Sequence, residues 1–275
     1  MESIGQVLKD FRKEHGMTQK DLSRDICSQS VLSRIENNEE IPNILVMQQL
    51  CQRLGITIDQ LMVDFLPKEL LLRKYFQKMY FLMRHQRFAE IQAIVNYLED
   101  KRRIVLDKDL QQFYYFKAVC AFYLDSNPKH ALENTKKGLD ILVSKKYQGY
   151  FDSKILLMAF AAKMNNQLDK DEEARRLYTK SIELFETTMC DYTEKIELSE
   201  LFLDYALFLL EYNEFQQAER IIDLGLRWNQ QQSSCYKLNE LFTLKMTVLK
   251  MIGEDKKAQQ YREWLNATTK LREFF

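Results

Sequence analysis

Five alanines recur along the chain at nearly constant spacing: Ala89, Ala131, Ala174, Ala218 and Ala258 stand 42, 43, 44 and 40 residues apart. They sit in the contexts Arg87-Phe-Ala89, Pro128-Lys-His-Ala131, Glu172-Glu-Ala174, Phe215-Gln-Gln-Ala218 and Lys256-Lys-Ala258. Each opens an amphipathic stretch that follows a long aromatic-rich stretch and a short polar turn. A small residue returning at one helical position marks a stacked array of helix pairs, because a small side chain lets two helices approach closely. Phe113, Tyr114, Phe116, Phe202, Tyr205, Phe208, Tyr212, Phe242 and Leu244 are placed to fill the ridges between units. The chain has only 7 Gly and 3 Pro in 275 residues, fewer turn residues than a sheet-rich fold needs. The fold class is therefore all-α, with enough apolar surface for a core, since 46% of the residues are hydrophobic.

The first 64 residues lie outside this period and read as five short helices. Ile4, Leu8 and Phe11 fall on one face of a helix from about Ile4 to His15, with Val7 alongside, and Gly16 ends it. Thr18 caps a second helix, with Asp21 in capping-box position and Leu22 and Ile26 inward. A tight turn at Cys27–Ser28 leads to a third helix, Gln29–Glu36, with Leu32 and Ile35 facing inward. Pro42 and Asn43 open a fourth, whose apolar members are Leu45, Val46, Leu50 and Leu54, and Gly55 stops it. Thr57 with Gln60 forms a second capping box for a fifth helix containing Ile58, Leu61 and Met62. Pro67 follows the last apolar group, so the boundary is expected within 63–68, giving domains of 1–64 and 65–275.

Two short helices joined by a very short turn form a helix-turn-helix, which places the second of them in the major groove. Gln29 can present a donor and an acceptor together to adenine. Ser30 and Ser33 can bond to several bases, and Arg34 can reach guanine or a phosphate. Thr18, Gln19, Ser28, Asn37 and Asn38 sit at helix ends, where backbone N–H groups and amides meet phosphates. Residues 1–64 carry seven Lys/Arg and ten Asp/Glu, a net charge of −3. Non-specific affinity comes from phosphate neutralisation, so this segment needs a locally basic face and two copies to bind DNA.

The segments Gly16-Met-Thr-Gln-Lys-Asp-Leu22 and Ile26-Cys-Ser-Gln-Ser-Val-Leu-Ser-Arg-Ile-Glu36, with Pro42, Leu50, Leu54-Gly55-Ile56 and Leu61, resemble the XRE/Cro type of helix-turn-helix. The shortened turn Ile26-Cys-Ser-Gln-Ser30 is similar to that of PlcR-type peptide-responsive quorum-sensing regulators. This resemblance implies that Glu36 pairs with Arg12 in a structural role. The array resembles degenerate tetratricopeptide repeats, about five helix pairs forming a right-handed superhelix, although the period exceeds the family's ~34 residues. Such arrays present a concave groove that takes peptides. Setting each alanine at the family's position puts Tyr115, Glu200, Leu203, Asp204, Leu207, Glu211, Glu240 and Thr243 on the inner face, with Lys154 as the choice in the third unit. Each of these can equally be a solvent-facing or packing residue. Where Asp204 stands, resembled receptors carry Asn.

Nothing points to an enzyme, a metal site or a cofactor. His15, His85 and His130 are far apart, and no H-E-x-x-H, Walker-type loop or G-x-S-x-G occurs. The acidic run Asp169-Lys-Asp-Glu-Glu173 lacks calcium-loop spacing and reads as a charged helix start. Cys27, Cys51, Cys120, Cys190 and Cys235 have no zinc-like spacing and are expected to be buried, reduced thiols. No signal-peptide stretch and no apolar run of about 18 residues occurs, so the expected location is the cytoplasm and no membrane partner is expected. The resemblance implies a homodimeric regulator on a pseudo-palindromic double-stranded DNA operator, with a re-imported secreted peptide bound in the groove. Two alternatives stay open: a repressor whose array binds a partner protein, and a repeat scaffold with no DNA role.

Overall fold

The structure is a computed structural model describing residues 4–61, 68–100, 104, 107–142, 150–188 and 195–272. It divides into two compact units, Met1–Lys74 and Tyr75–Phe275. The division falls inside one continuous helix, α6 (Lys68–Arg84). Most of the segment where the sequence places the boundary, with Met62 and Pro67, lies outside the described residues.

The first unit holds α1 (Ile4–Glu14), α2 (Gln19–Ser23), α3 (Gln29–Glu36), α4 (Ile44–Arg53) and α5 (Ile58–Leu61). Local chemistry sets the helix ends. At the end of α1, Gly16 turns at φ +65°, and its N–H and that of Met17 bond to the carbonyls of Lys13 and Arg12. That left-handed C-cap is what glycine permits without strain. Thr18 and Asp21 form a reciprocal capping box at the start of α2, and the Ser28 hydroxyl accepts the Val31 N–H at 3.3 Å to open α3. Asn43 caps α4 through Val46 N at 2.9 Å. Leu8, Leu22, Leu32 and Leu50 are fully buried together, as their spacing predicts. Leu45 is not: it is 67% exposed, and Met47, Leu50 and Cys51 carry the buried face of α4 instead. With Asn43 as the cap, Leu45 falls on the outer side of the first turn.

The second unit continues from α6 with α7 (Phe88–Asp100), α8 (Asp107–Tyr123), α9 (Pro128–Leu139), α10 (Tyr150–Asn166), α11 (Asp171–Thr188), α12 (Ser199–Glu211), α13 (Phe215–Gln231), α14 (Leu238–Met251) and α15 (Asp255–Arg272). A single 3₁₀ turn, Ile196–Leu198, leads into α12. Chain neighbours pack as pairs, and α8, α10, α12 and α14 also touch in succession, so the first helices of these pairs form one continuous wall. The period exceeds that of ordinary repeats because the helices are long: α8, α10 and α13 have 17 residues each and α11 and α15 have 18.

Every pair turns on one residue in the left-handed region: Gln86, Ser126, Asp169, Asn213 and Gly253. Four of these are not glycine, so the turns leave little trace in composition. They show that the alanine register slips in the first unit of the array. Ala131, Ala174, Ala218 and Ala258 each lie five residues after the turn and are buried, whereas Ala89 lies three after it and is exposed. The equivalent buried residue is Ile91. Small residues recur again one heptad on, at Gly138 and Gly225. A Cβ on Gly225 would stand 2.8 Å from Phe202 Cβ, and one on Gly138 would stand 2.9 Å from a Leu157 methyl.

Aromatic residues fill the ridges between pairs as expected at Phe113, Phe116, Phe202, Tyr205 and Phe208, all buried. Tyr178 stacks on Tyr205 at 4.9 Å, and Phe185 meets Phe202 edge-on at 5.0 Å. Tyr212 is an exception, 41% exposed at the end of α12, where Arg175 covers its ring at 5.4 Å. The acidic run does start a helix, with Asp171, Glu172 and Glu173 in the first turn of α11. Cys51 and Cys120 are buried as expected, whereas Cys27 is half-buried and Cys235 is exposed, the latter because it lies in the turn between α13 and α14 rather than in a helix. Cys190 lies outside the described residues. No helix among them is long and apolar enough to cross a membrane.

Of the glycines in the first unit, Gly5 alone has no room for a side chain. A Cβ there would lie 2.1 Å from the Ile35 carbonyl oxygen, because α1 runs directly over the end of α3. Gly5→Ala is expected to cost about 1–3 kcal/mol, the usual range for overpacking. Hydrogen exchange should report it as faster exchange in α1 and α3 with the amides of α8–α13 unchanged. Unaltered exchange in α1 would show that the two helices can separate freely.

Candidate nucleic-acid interface and ligand groove

The exposed face of α3 is held by a chain of side chains that begins in the core. Arg12 on α1 meets Glu36 at the end of α3 in a bidentate pair, Nε–Oε1 2.6 Å and Nη2–Oε2 2.9 Å. Its remaining nitrogen, Nη1, donates to the Met17 carbonyl at 2.8 Å. The Glu36 side chain is fully buried. Burial pushes the Glu36 carboxyl up, but the Arg12 and Gln19 hydrogen bonds outweigh it and hold the group below the usual carboxylate range.

The network then continues outward to the surface. Gln19 Nε2 donates to Glu36 Oε2 at 2.9 Å, and Gln29 Nε2 donates to Gln19 Oε1 at 2.9 Å. A carboxylate only accepts, so Glu36 fixes which way the Gln19 amide points, and Gln19 in turn fixes Gln29. Gln29, the first residue of α3, is exposed with its own oxygen and second amide hydrogen available. Those are the two groups that pair with adenine in the major groove.

This arrangement brings Thr18, Gln19, Ser28, Gln29 and Ser30 together where α2 and α3 both begin. Ser28 and Ser30 share a hydroxyl hydrogen bond at 2.9 Å. Ser33 is half-buried one turn further along. Arg34 is half-exposed and turned to Glu40 at 2.7 Å; exposed pairs of this kind are weak, so the guanidinium can be exchanged onto a phosphate at little cost. Asn37 and Asn38 stand at the far end of α3, about 12 Å away along its eight residues. Asn38 takes φ +62° to close the helix, and its side-chain oxygen accepts the Gly5 N–H at 3.1 Å. Sequence reasoning had no signal for Arg53, which donates to the carbonyls of Leu22 and Arg24 and fastens the turn between α2 and α3 to α4.

In the second unit a cavity of about 170 Å³ opens on the wall formed by the first helices of the pairs. Part of its lining is aromatic, with Phe88 stacked on Tyr123 at 4.3 Å and Tyr115 edge-on to Phe160 at 5.9 Å. Charged groups interleave with these rings. Lys163 on α10 reaches Asp204 on α12 at 3.0 Å and the Tyr123 hydroxyl at 3.5 Å. Tyr236 donates its hydroxyl to Glu200, and Lys237 stands 3.5 Å from the same carboxylate. Arg84 meets Glu197 at 2.7 Å, linking α6 to the 3₁₀ turn before α12. Burial raises the Asp204 carboxyl, and the Lys163 ammonium pulls it back. Burial would lower Lys163, but Asp204, Tyr123 and Glu200 together hold it above its ordinary value.

Of the residues expected on the inner face, Tyr115, Glu200 and Asp204 line this cavity. Leu203 is buried and Leu207 is 43% exposed. Glu211 accepts from Asn166 at 3.1 Å, Glu240 lies 3.9 Å from Lys237, and the Thr243 hydroxyl bonds to the Asn239 carbonyl at 2.8 Å; none of these five lines it. Lys154 does not either. The face of α10 that does is Leu156, Ala159, Phe160 and Lys163, at helical spacing and out of phase with Lys154. Lys163, Tyr236 and Lys237 were not legible as a group, since they meet only through the stacking of separate pairs.

Fold and site together define a class: a helix-turn-helix domain followed by an array of helix pairs with a charged and aromatic cavity. Residues 8–61 match the helix-turn-helix family. No curated protein matches the chain. Among solved structures, the chain has the fold of PlcR from Bacillus thuringiensis in complex with the peptide PapR7 and DNA, with a TM-score of 0.69, 17% identity, and 100% of this chain and 98% of that one covered. The apo form of the same protein matches with a TM-score of 0.69, 15% identity, and coverage of 100% and 97%. ComR from S. thermophilus in complex with DNA and its signalling peptide ComS matches with a TM-score of 0.59, 14% identity, and coverage of 98% and 94%.

Removing the Glu36 carboxylate strands a buried guanidinium and frees both glutamines. Glu36→Ala is expected to cost about 3–5 kcal/mol at neutral pH, the usual penalty for breaking a buried pair from one side. Because the folded-state pKa of Glu36 is depressed, its contribution is present above the unfolded value of about 4.3 and is lost as pH falls through the folded value. The stability gap between wild type and variant should therefore narrow in acid. Urea unfolding followed by circular dichroism from pH 7 to pH 3 measures it, and a gap that stays constant would count against the pair.

Proposed function

We propose that this chain is a sequence-specific DNA-binding transcription regulator, controlled by a short signalling peptide bound on the inner wall of its helical repeats. The observation that carries the reading is Gln29, exposed at the start of α3 and oriented by a hydrogen-bond chain anchored on a buried ion pair. A side chain held in one pose loses less freedom on reading a base than a mobile one does. The match of residues 8–61 to the helix-turn-helix family supports the DNA partner. The shared fold with PlcR and ComR, both solved with DNA and a peptide, supports the peptide partner.

On this reading the protein works as a homodimer in the cytoplasm, on an operator whose two half-sites mirror its two-fold symmetry. Residues 1–64 carry a net charge of −3 in each copy, so phosphate attraction is weak and two copies double the specific contacts instead. The repeats act as tetratricopeptide-like units, and Thr18, Gln19, Ser28, Ser30, Ser33, Arg34, Asn37 and Asn38 assist Gln29 through base and phosphate contacts. The peptide shifts the equilibrium between arrangements of the two DNA-binding domains, by binding one arrangement more tightly than the other.

Purified full-length protein should enrich a pseudo-palindromic motif from random-sequence duplexes at low salt. Gln29→Ala should weaken binding to that motif by about 1–3 kcal/mol, the range for one lost bidentate base contact, and relax sequence preference at one position of each half-site. No enriched motif with or without short apolar peptides, or unchanged affinity for Gln29→Ala, would sink the reading.

A further inference from the structure

Exposed apolar side chains are gathered at one place on the first unit. Ile41, Ile44 and Leu45 are 94%, 68% and 67% exposed, and no other large apolar side chain among the described residues of that unit is comparably open. Single exposed apolar residues are ordinary, whereas three within five positions form a patch that marks a contact. Beside them opens a groove of about 470 Å³, walled by Ile4, Gly5, Ile35, Pro42, Met47 and Ile58. Its polar neighbours are already engaged: the Asn38 side-chain oxygen accepts the Gly5 N–H at 3.1 Å, and Glu40 holds Arg34 at 2.7 Å.

Such a groove takes an apolar, uncharged occupant. Among the described residues no Lys or Arg lines it, so a DNA phosphate finds no cation there. A second copy of the same unit fits on three counts. The patch carries a projection and a hollow side by side, and a two-fold axis brings each projection to the other copy's hollow, as an isologous interface requires. Residues 1–64 carry a net charge of −3, so two copies repel least where they meet through uncharged surface. The patch also lies at the C-terminal end of α3, about 12 Å from Gln29 at its start. Copies paired there keep both Gln29 side chains open and hold them at a fixed separation.

We propose that the first units of two copies of this chain meet two-fold symmetrically through this patch, with Ile41 and Ile44 of each copy entering the groove of the other. This rests on the homodimer reading above and names the surface that makes the pair.

The test uses full-length protein at neutral pH. Protein carrying the photo-cross-linker benzoylphenylalanine in place of Ile41 is irradiated, run on a denaturing gel and mapped by mass spectrometry. The expected product has twice the mass of the chain, joined to the segment around Met47 or Ile58 of the other copy. A cross-link within one chain would mean that the chain covers its own groove, and it overturns the contact. So does the absence of any cross-link under conditions where wild type sediments as a dimer. Ile44→Glu puts a carboxylate into the apolar contact and should weaken the dimer about tenfold by sedimentation equilibrium. Ile44→Leu keeps the volume and should stay within about threefold. Ile44 is exposed, so the fold does not need it, and circular dichroism checks that both variants are folded. A folded Ile44→Glu protein with unchanged dimer affinity overturns the contact. Wild type that sediments only as a monomer overturns the contact and the homodimer reading together. A cross-linked dimer that enriches no operator keeps the contact and loses the regulator; an enriched palindrome with the Ile44→Glu dimer unaltered does the opposite.

Discussion

The first unit depends on one buried contact, the bidentate pair of Arg12 and Glu36. It joins α1 to α3 at a point where Gly5 lets the two backbones come almost into contact, and where Asn38 turns back to bond the Gly5 N–H. A buried ion pair is weak evidence for stability, since desolvation offsets most of the attraction. Its value here is directional. A carboxylate can only accept, so the pair imposes an orientation on Gln19, and Gln19 imposes one on Gln29. Core and surface in this domain are therefore one network: what fixes the end of α3 in the core also aims the first residue of the same helix at solvent.

The second unit is organised by size instead of charge. Ala131, Ala174, Ala218 and Ala258, with Gly138 and Gly225 one heptad on, let second helices lie close against first helices. Large aromatics such as Tyr178, Phe185 and Phe202 fill the spaces that remain between pairs. The left-handed turns at Gln86, Ser126, Asp169, Asn213 and Gly253 repeat the same reversal five times. Only glycine takes that conformation freely, and the non-glycine residues at four of these turns accept some local strain for a fixed geometry. The result is a wall built from the first helices, in which side chains distant in sequence face a common cavity.

Charge enters the second unit where that wall faces the cavity. Glu197, Glu200 and Asp204 lie along one face of the 3₁₀ turn and α12, and each meets a cation from a different element: Arg84 from α6, Lys237 from the turn before α14, and Lys163 from α10. Pairing across elements keeps the cavity neutral while leaving it lined with hydrogen-bonding groups. It also ties the fourth pair to the first, third and fifth.

The sequence alone determined whatever depends on local rules. Periodicity and capping residues located α1 to α5, including the Thr18–Asp21 box and the glycine stops, because a helix end is decided within a few residues. The recurring alanines revealed the array and four of its five registers, because helix packing imposes a small residue at a constant offset from each turn. The first register was misread at Ala89, since Ile91 fills that place. The exposed residues of α3 were legible for the same local reason. Only the tertiary structure decided how those residues are used: that Gln29 is held by Gln19, that Arg34 rests on Glu40, and that Lys163, Tyr236 and Lys237 surround Asp204 and Glu200. Such groupings depend on the phase of one helix against another. An error of a residue in that phase turns a side chain about 100° around its helix axis, and no local pattern in the chain records that phase.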